Sequence, residues 1–139
     1  RYGGQISLIM VDIDNFKKIN DTYGHRAGDK VIREISAKIK ECVRQIDTAA
    51  RYGGDEFAVI LPNTSLAEAT IAAERMVAAV SHTPTTWKKD QIALSISVGV
   101  GQYDADTTPE DITSRSDQAL YTAKRAGKNT VKIFEPAKK

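Results

Sequence analysis

The feature that most constrains this chain is a pair of glycines, Gly53-Gly54, set between two strand-like segments, Thr48 to Tyr52 and Glu56 to Leu61. Glycine reaches positive φ without a Cβ penalty, so Gly-Gly between such segments predicts a tight hairpin with both residues in that region. A tight hairpin forces an antiparallel pair. That matters because strands and helices alternate elsewhere in the chain, a pattern that alone would suggest a parallel sheet.

The remaining elements follow from periodicity and caps. Ile6 to Asp12 is apolar on both faces and reads as a central strand. Asp14 reads as the N-cap of a short helix from Asn15 to about Asp21. Tyr23 to Asp29 reads as a loop with two glycines, and Asp29 to Gln45 as a long helix with Val31, Ile32, Ile35, Ile39 and Val43 on one stripe. Ser65 and Glu68 form a capping box that opens an alanine-rich helix from Leu66 to about Val80. Ser81 to Asp90 reads as a loop, and Ile92 to Gly101 as an alternating strand. Thr108 caps a helix with Pro109 at its first position, which runs to about Ala126 and stops at Gly127. Val131 to Phe134 is a last short strand. The order β-α-α-β-β-α-β-α-β with one forced antiparallel pair predicts an α+β fold: one mixed, mostly antiparallel sheet flanked by helices. No GxGxxG motif supports a doubly wound dinucleotide fold.

Composition excludes several classes. At 139 residues, 41% hydrophobic and 27% charged, the chain has the size and balance of a single globular domain, residues 1–139. No apolar run reaches a membrane span, so no membrane contact is expected, and the single Cys42 rules out an internal disulfide or a Cys-rich zinc site. A net charge of +2 gives no reason to expect a nucleic-acid partner. These features fit a cytoplasmic setting. The strand that begins about five residues in reads as the start of a domain taken from a longer chain, and Lys138-Lys139 as an ordinary polar end.

The chemistry lies in the acids and the cations. Asp12 closes a buried strand, where a carboxylate is costly unless a cation or hydrogen bonds compensate it. Taken alone it is either a turn aspartate or a ligand. Asp55 and Glu56 follow the glycines directly, and they are either turn residues or site residues. If the hairpin lies beside the first strand, Asp12, Asp55 and Glu56 converge, and hard oxygen donors without His or Cys suit Mg²⁺ or Mn²⁺. The helix N-terminus at Asn15-Phe16-Lys17 offers backbone N–H groups, and Lys124 and Lys128 add cations near a distant helix end, where they are otherwise ordinary surface lysines. Acids for metal and lysines for phosphate are the equipment of phosphoryl or nucleotidyl transfer. Asn20 and Asp29 are either helix caps or readers of a base edge.

Three stretches carry a resemblance to a known family. They are Asp12-Ile-Asp-Asn-Phe-Lys-Lys-Ile-Asn-Asp-Thr-Tyr-Gly-His-Arg-Ala-Gly-Asp29, Arg51-Tyr-Gly-Gly-Asp-Glu-Phe57 and Asp117-Gln-Ala-Leu-Tyr-Thr-Ala-Lys-Arg-Ala-Gly-Lys-Asn129. In this order, across nearly the whole chain, the sequence resembles the GGDEF family, the bacterial diguanylate cyclases. The resemblance implies a palm-like, nucleotide-cyclase-related fold with a five-stranded core sheet. It implies condensation of two GTP into cyclic di-GMP with release of two pyrophosphates, in a homodimer, because each two-fold related link needs a hydroxyl from one domain and an α-phosphate from the other. Carried over by position, Asp12, Asp55 and the Ile13 carbonyl would hold Mg²⁺ or Mn²⁺, and Asp55 or Glu56 would take the proton. Asn20 and Asp29 would bind guanine, with His25 in the same segment. Phe16, Lys17, Gly53, Gly54, Lys124 and Lys128 would line the rest of the substrate site. Lys128 stands where the family often has Arg, which keeps the charge and loses the bidentate fork.

Arg44-Gln45-Ile46-Asp47 matches the family's RxxD motif. Its ordinary reading is a surface ion pair at a helix end. The resemblance implies product binding and feedback inhibition by cyclic di-GMP there, with Arg75 contributing. The family's usual preceding helix with a DxLTGLxNR-type segment, and any sensory domain, are absent from the sequence. The alternatives are a non-catalytic module that binds GTP or cyclic di-GMP, and another nucleotidyl cyclase or polymerase palm. Intact Asp12, Asp55 and Glu56 argue against the first. Asn20, Asp29 and RxxD argue against the second.

Overall fold

The computed structural model describes residues 5–103 and 108–134, so Lys138-Lys139 lie outside the described residues. Strand β1 (Ile6–Ile13) is the middle of a five-stranded sheet of order β2-β3-β1-β6-β7. It is buried along nearly its whole length, as an apolar run on both faces requires. Its neighbours β3 (Glu56–Pro62) and β6 (Ile96–Tyr103) both run antiparallel to it, and β2 (Thr48–Arg51) closes the predicted hairpin with β3. Only β7 (Val131–Ile133), reached from β6 through helix α4 (Pro109–Arg125), pairs in parallel. The sheet is therefore mixed and mostly antiparallel.

Helices α2 (His25–Glu41) and α3 (Leu66–Ser81) cover one face, where Ile9, Val11, Val59 and Val98 meet Val31, Ile35 and Met76 in the main core. Helix α4 covers the other face, packing Leu120 on Leu8 and Met10. Gly99 permits this contact: a Cβ there would stand 2.2 Å from the Leu120 backbone nitrogen. Four residues of helix rise about as far as two residues of strand. The stripe Ser116, Leu120, Lys124 therefore keeps step with Leu8, Met10, Asp12. Ser116 Oγ donates to the Leu8 carbonyl at 3.1 Å, and Lys124 reaches Asp12.

Several expected boundaries move. The stretch Tyr23 to Asp29 is not a loop: α1 (Phe16–Tyr23) and α2 are separated by Gly24 alone, at φ 94°. Gly28 sits inside α2, buried by packing rather than placed for a turn. Helix α2 ends at Glu41, and Arg44 to Asp47 form a separate turn closed by Asp47 N–H on the Arg44 carbonyl at 3.0 Å. The expected loop from Ser81 to Asp90 contains strand β4 (Thr85–Trp87), which pairs with β5 (Asp90–Ile92) in a small separate hairpin, so the strand expected over Ile92 to Gly101 is split. Glu34 accepts from Thr85 Oγ1 at 2.7 Å, which ties this hairpin to α2. The capping box of Ser65 and Glu68 and the Thr108 cap form as expected.

Candidate active site

The register of β1 on β3 sets Asp12 opposite Glu56. Ile13 N–H donates to the Asp55 carbonyl at 3.0 Å, which fastens the hairpin turn to the end of β1. The turn is a four-residue loop, Tyr52 to Asp55, closed by Tyr52 N–H on the Glu56 carbonyl at 2.7 Å. Neither Gly53 nor Gly54 adopts positive φ, contrary to the expectation for Gly-Gly, because the four-residue loop does not need it. A Cβ on Gly54 would meet nothing within 4 Å, so this side of the loop faces open space. Arg51, which the sequence reading passed over, folds back on the loop and donates from Nη2 to the Gly54 carbonyl at 2.7 Å.

Asp12 is 7% exposed. One carboxylate oxygen takes the ammonium of Lys124, and the other, Oδ1, is buried with no partner. Burial pushes the Asp12 carboxyl up to about 6; the Lys124 hydrogen bond opposes this and the charge of Asp55 adds to it. Burial alone would lower Lys124, yet the hydrogen bond and charge of Asp12, with Glu56 and Asp55, hold it above the ordinary lysine range. The three acids thus act on one ammonium. Among the described residues no three acidic, His or Cys side chains gather into a ready-made ion cage. The corner instead offers the Asp12 and Asp55 carboxylates beside the backbone at Ile13. An orphaned buried carboxylate oxygen beside a second carboxylate, with no His or Cys donor, fits a hard divalent cation.

A second orphaned atom lies on α1. Asn20 Oδ1 is buried without a partner. It rests against Gly28 of α2, where a Cβ would stand 1.9 Å from it and 3.3 Å from Phe16 Cζ. Asn20 and Gly28 thus form a cradle between α1 and α2. His25 and Asp29 lie on the first turns of α2, both exposed. Lys17 is exposed on the first turn of α1; the helix has no side-chain cap, and its first turn has no acidic residue. Lys128 Nζ donates to Asn15 Oδ1 at 3.0 Å, so its ammonium stands at that helix start.

Asp14 is not the cap of α1. The cap position belongs to Asn15, at φ 58°, and Asp14 is buried beneath it. Its carboxylate accepts from Ser97 Oγ at 2.6 Å, Ser95 Oγ at 2.6 Å and Asn129 N–H at 2.9 Å. The sequence signal for these partners was weak: two serines two apart in an otherwise apolar strand.

The RxxD turn lies at the open end of the β2–β3 hairpin, the acids at its tip. Arg44 pairs with Asp47 at 3.1 Å, so the ordinary ion pair does form, and Arg44 Nη2 also donates to the Pro62 carbonyl at 2.9 Å. Arg75 on α3 lines the same groove of about 140 Å³, with Ile71 and Glu68. Backbone and hydroxyl bonds from Ser65, with the charge of Arg44, hold Glu68 below the usual carboxylate range. Among the described residues no helix is long and apolar enough to cross a membrane.

Comparison with known proteins places these features in context. The family model described as "Diguanylate cyclase, GGDEF domain" matches residues 1–130. The chain is 46% identical over 129 residues to diguanylate cyclase A of Treponema denticola, covering 92% of this chain and 35% of that protein. It is 41% identical over 133 residues to diguanylate cyclase DgcP of Pseudomonas aeruginosa, covering 96% of this chain and 20% of that protein. The chain therefore spans about a third or less of these relatives. Among solved structures, the GGDEF domain of DgcB from Caulobacter crescentus in complex with c-di-GMP superposes with a TM-score of 0.91 at 34% identity, covering 95% of this chain and 79% of that one.

Proposed function

Because the chain belongs to the GGDEF-domain family of diguanylate cyclases, we propose that it condenses two GTP into cyclic di-GMP. Each 3′-oxygen attacks the α-phosphorus of the other nucleotide, two P–O bonds form, two break, and two pyrophosphates leave with two protons released. The observation that carries the reading is the pair of orphaned oxygens. Among the described residues, the buried side-chain polar atoms without a partner are Asp12 Oδ1 and Asn20 Oδ1. One stands at the position the family gives to a metal ligand, the other at the position it gives to guanine recognition. A folded chain leaves such atoms unpaired at a cost of roughly 1–3 kcal/mol each, which a ligand can repay.

Asp12, Asp55 and the Ile13 carbonyl would hold Mg²⁺ or Mn²⁺, which when bound neutralises phosphate charge and polarises the hydroxyl. Asn20 and Asp29 orient guanine: an ionised Asp29 only accepts, which matches the N1–H and amino donors of guanine. His25 and Phe16 border that pocket. Lys17, Lys128 and the α1 N-terminus take the phosphates, the open side of Gly54 admits them, and Lys124, held on the other Asp12 oxygen, adds its charge beside them. Asp55 or Glu56 accepts the 3′-hydroxyl proton. The product is two-fold symmetric, so two copies face each other and each supplies one nucleotide. Product also binds the groove of Arg44, Asp47 and Arg75 and restrains turnover, a reading supported by the likeness to a domain solved with c-di-GMP.

The test is incubation of the chain at high concentration with GTP and Mg²⁺. Cyclic di-GMP should form, and Asp55→Ala should abolish it. If neither the chain nor a version fused to a dimerising coiled coil makes product, the enzyme reading fails.

A further inference from the structure

We infer that Asp14 is a positioning residue that sets the phosphate-facing cation Lys128, and not a helix cap or passive core polar group. The inference rests on the proposed GTP reading and goes beyond it in assigning a role to a carboxylate that touches no substrate.

Lys128 sits in an unusual turn. Gly127, Lys128 and Asn129 follow α4 with φ of 111°, 67° and 49°, three successive residues in the left-handed region. Only the first is glycine. Asn129 tolerates this region, but Lys128 carries a side chain that resists it, so the surroundings must hold it there. Backbone bonds to α4 do so at the start of the turn, Gly127 N–H to the Lys124 carbonyl at 3.4 Å and Lys128 N–H to the Ala123 carbonyl at 3.1 Å, and two bonds do so after it: Asn129 N–H to Asp14 at 2.9 Å, and Val98 N–H to the Thr130 carbonyl at 3.0 Å. The Asn129–Asp14 bond is charge-assisted and part-buried. Of the two later bonds it is the one adjacent to Lys128. Asp14 is itself fixed, by Ser95 and Ser97 at 2.6 Å each and by its own N–H on the Ser95 carbonyl at 3.0 Å. The result is that a lysine 113 residues away in sequence stands within 3.0 Å of Asn15, at the start of α1. Asn15 too is left-handed, at φ 58°. A chain needing only a buried hydrogen bond would not require a carboxylate here. Three donors converge on Asp14, and only a carboxylate accepts all three with lone pairs to spare.

The test separates position from general integrity by using two ligands. Calorimetry on the full chain with Mg²⁺ compares a non-hydrolysable GTP analogue with GMP, which shares the guanine but lacks the outer phosphates. Lys128→Ala should weaken the analogue about tenfold, the worth of one charge-assisted contact, and leave GMP unchanged. Asp14→Ala should reproduce that selective loss. The double variant should be no weaker than either single one, because Lys128 has nothing more to lose. Asp14→Asn, which keeps one acceptor for Asn129 N–H, should recover part of the affinity and stands in if Asp14→Ala does not fold. Equal loss of analogue and GMP in the Asp14 variants, additive losses in the double variant, or unchanged analogue binding would each overturn the inference. Wild-type chain that fails to bind the analogue at all would instead overturn the GTP reading on which it rests.

Discussion

Replacing Gly28 by alanine should separate stability from recognition. Gly28 lies inside α2 with ordinary helical φ, so alanine is allowed by the backbone and favoured by helix propensity, by up to about 1 kcal/mol. The space is the difficulty. The new Cβ would stand 1.9 Å from Asn20 Oδ1 and 3.0 Å from Asn20 Cγ. The Asn20 side chain must retreat by about 1.5 Å to regain ordinary contact at 3.4 Å. That atom has no partner to lose, so its movement costs the fold little. Misplacement of a recognition group by an ångström costs on the order of 100-fold in catalytic efficiency. Gly28→Ala should therefore melt at the same temperature as wild type or slightly higher, while binding a GTP analogue about 10- to 100-fold more weakly by calorimetry. Unchanged analogue affinity would refute the placement of guanine against Asn20. Loss of affinity together with a collapsed melting temperature would refute the claim that the cradle is a site and not core packing.

Three further outcomes follow from the same structure. Asp12→Asn should stabilise the metal-free chain at neutral pH by about 1 kcal/mol or more. The folded pKa of Asp12 is raised from 3.8 to about 6, so the folded state binds its proton more tightly; the native residue costs stability above pH 6, and the gain from Asn should fade in melts as pH falls toward 4. Gly99→Ala should destabilise the fold by about 1–3 kcal/mol in chemical denaturation, since its Cβ meets the α4 backbone and no flexible side chain can yield. Arg44→Ala should abolish tight cyclic di-GMP binding measured by calorimetry while turnover persists; unchanged binding would leave Arg44 and Asp47 as the ion pair seen beside Pro62.

Strong periodicity and caps made most of the sheet readable: β1 from its doubly apolar run, the β2–β3 hairpin from its glycines, α3 from its capping box. Where the reading missed, a residue type was given its commonest use. Gly28 reads in the sequence as a loop glycine, yet it lacks a Cβ where Asn20 lies against it inside α2. Asp14 reads as a cap, since aspartate before a helix usually caps it, yet partners 81 to 115 residues away claim its carboxylate. Such long-range hydrogen bonds leave no periodic trace. The glycines of the hairpin were expected at positive φ and instead clear space beside the acids. The candidate site was legible as a set of residue types through family resemblance. Its electrostatics were not: that Lys124 keeps step with β1 and lands on Asp12 depends on how closely α4 approaches Gly99.

The measurement that bears most directly on the account is product formation as a function of pairing. With GTP and Mg²⁺, the rate per chain of cyclic di-GMP formation should rise with chain concentration, reach a plateau in a coiled-coil-fused dimer, and release two pyrophosphates per product by mass spectrometry and phosphate assay. A dimerised chain that binds GTP at Asn20 and forms no cyclic di-GMP, or a rate per chain independent of concentration, would contradict it.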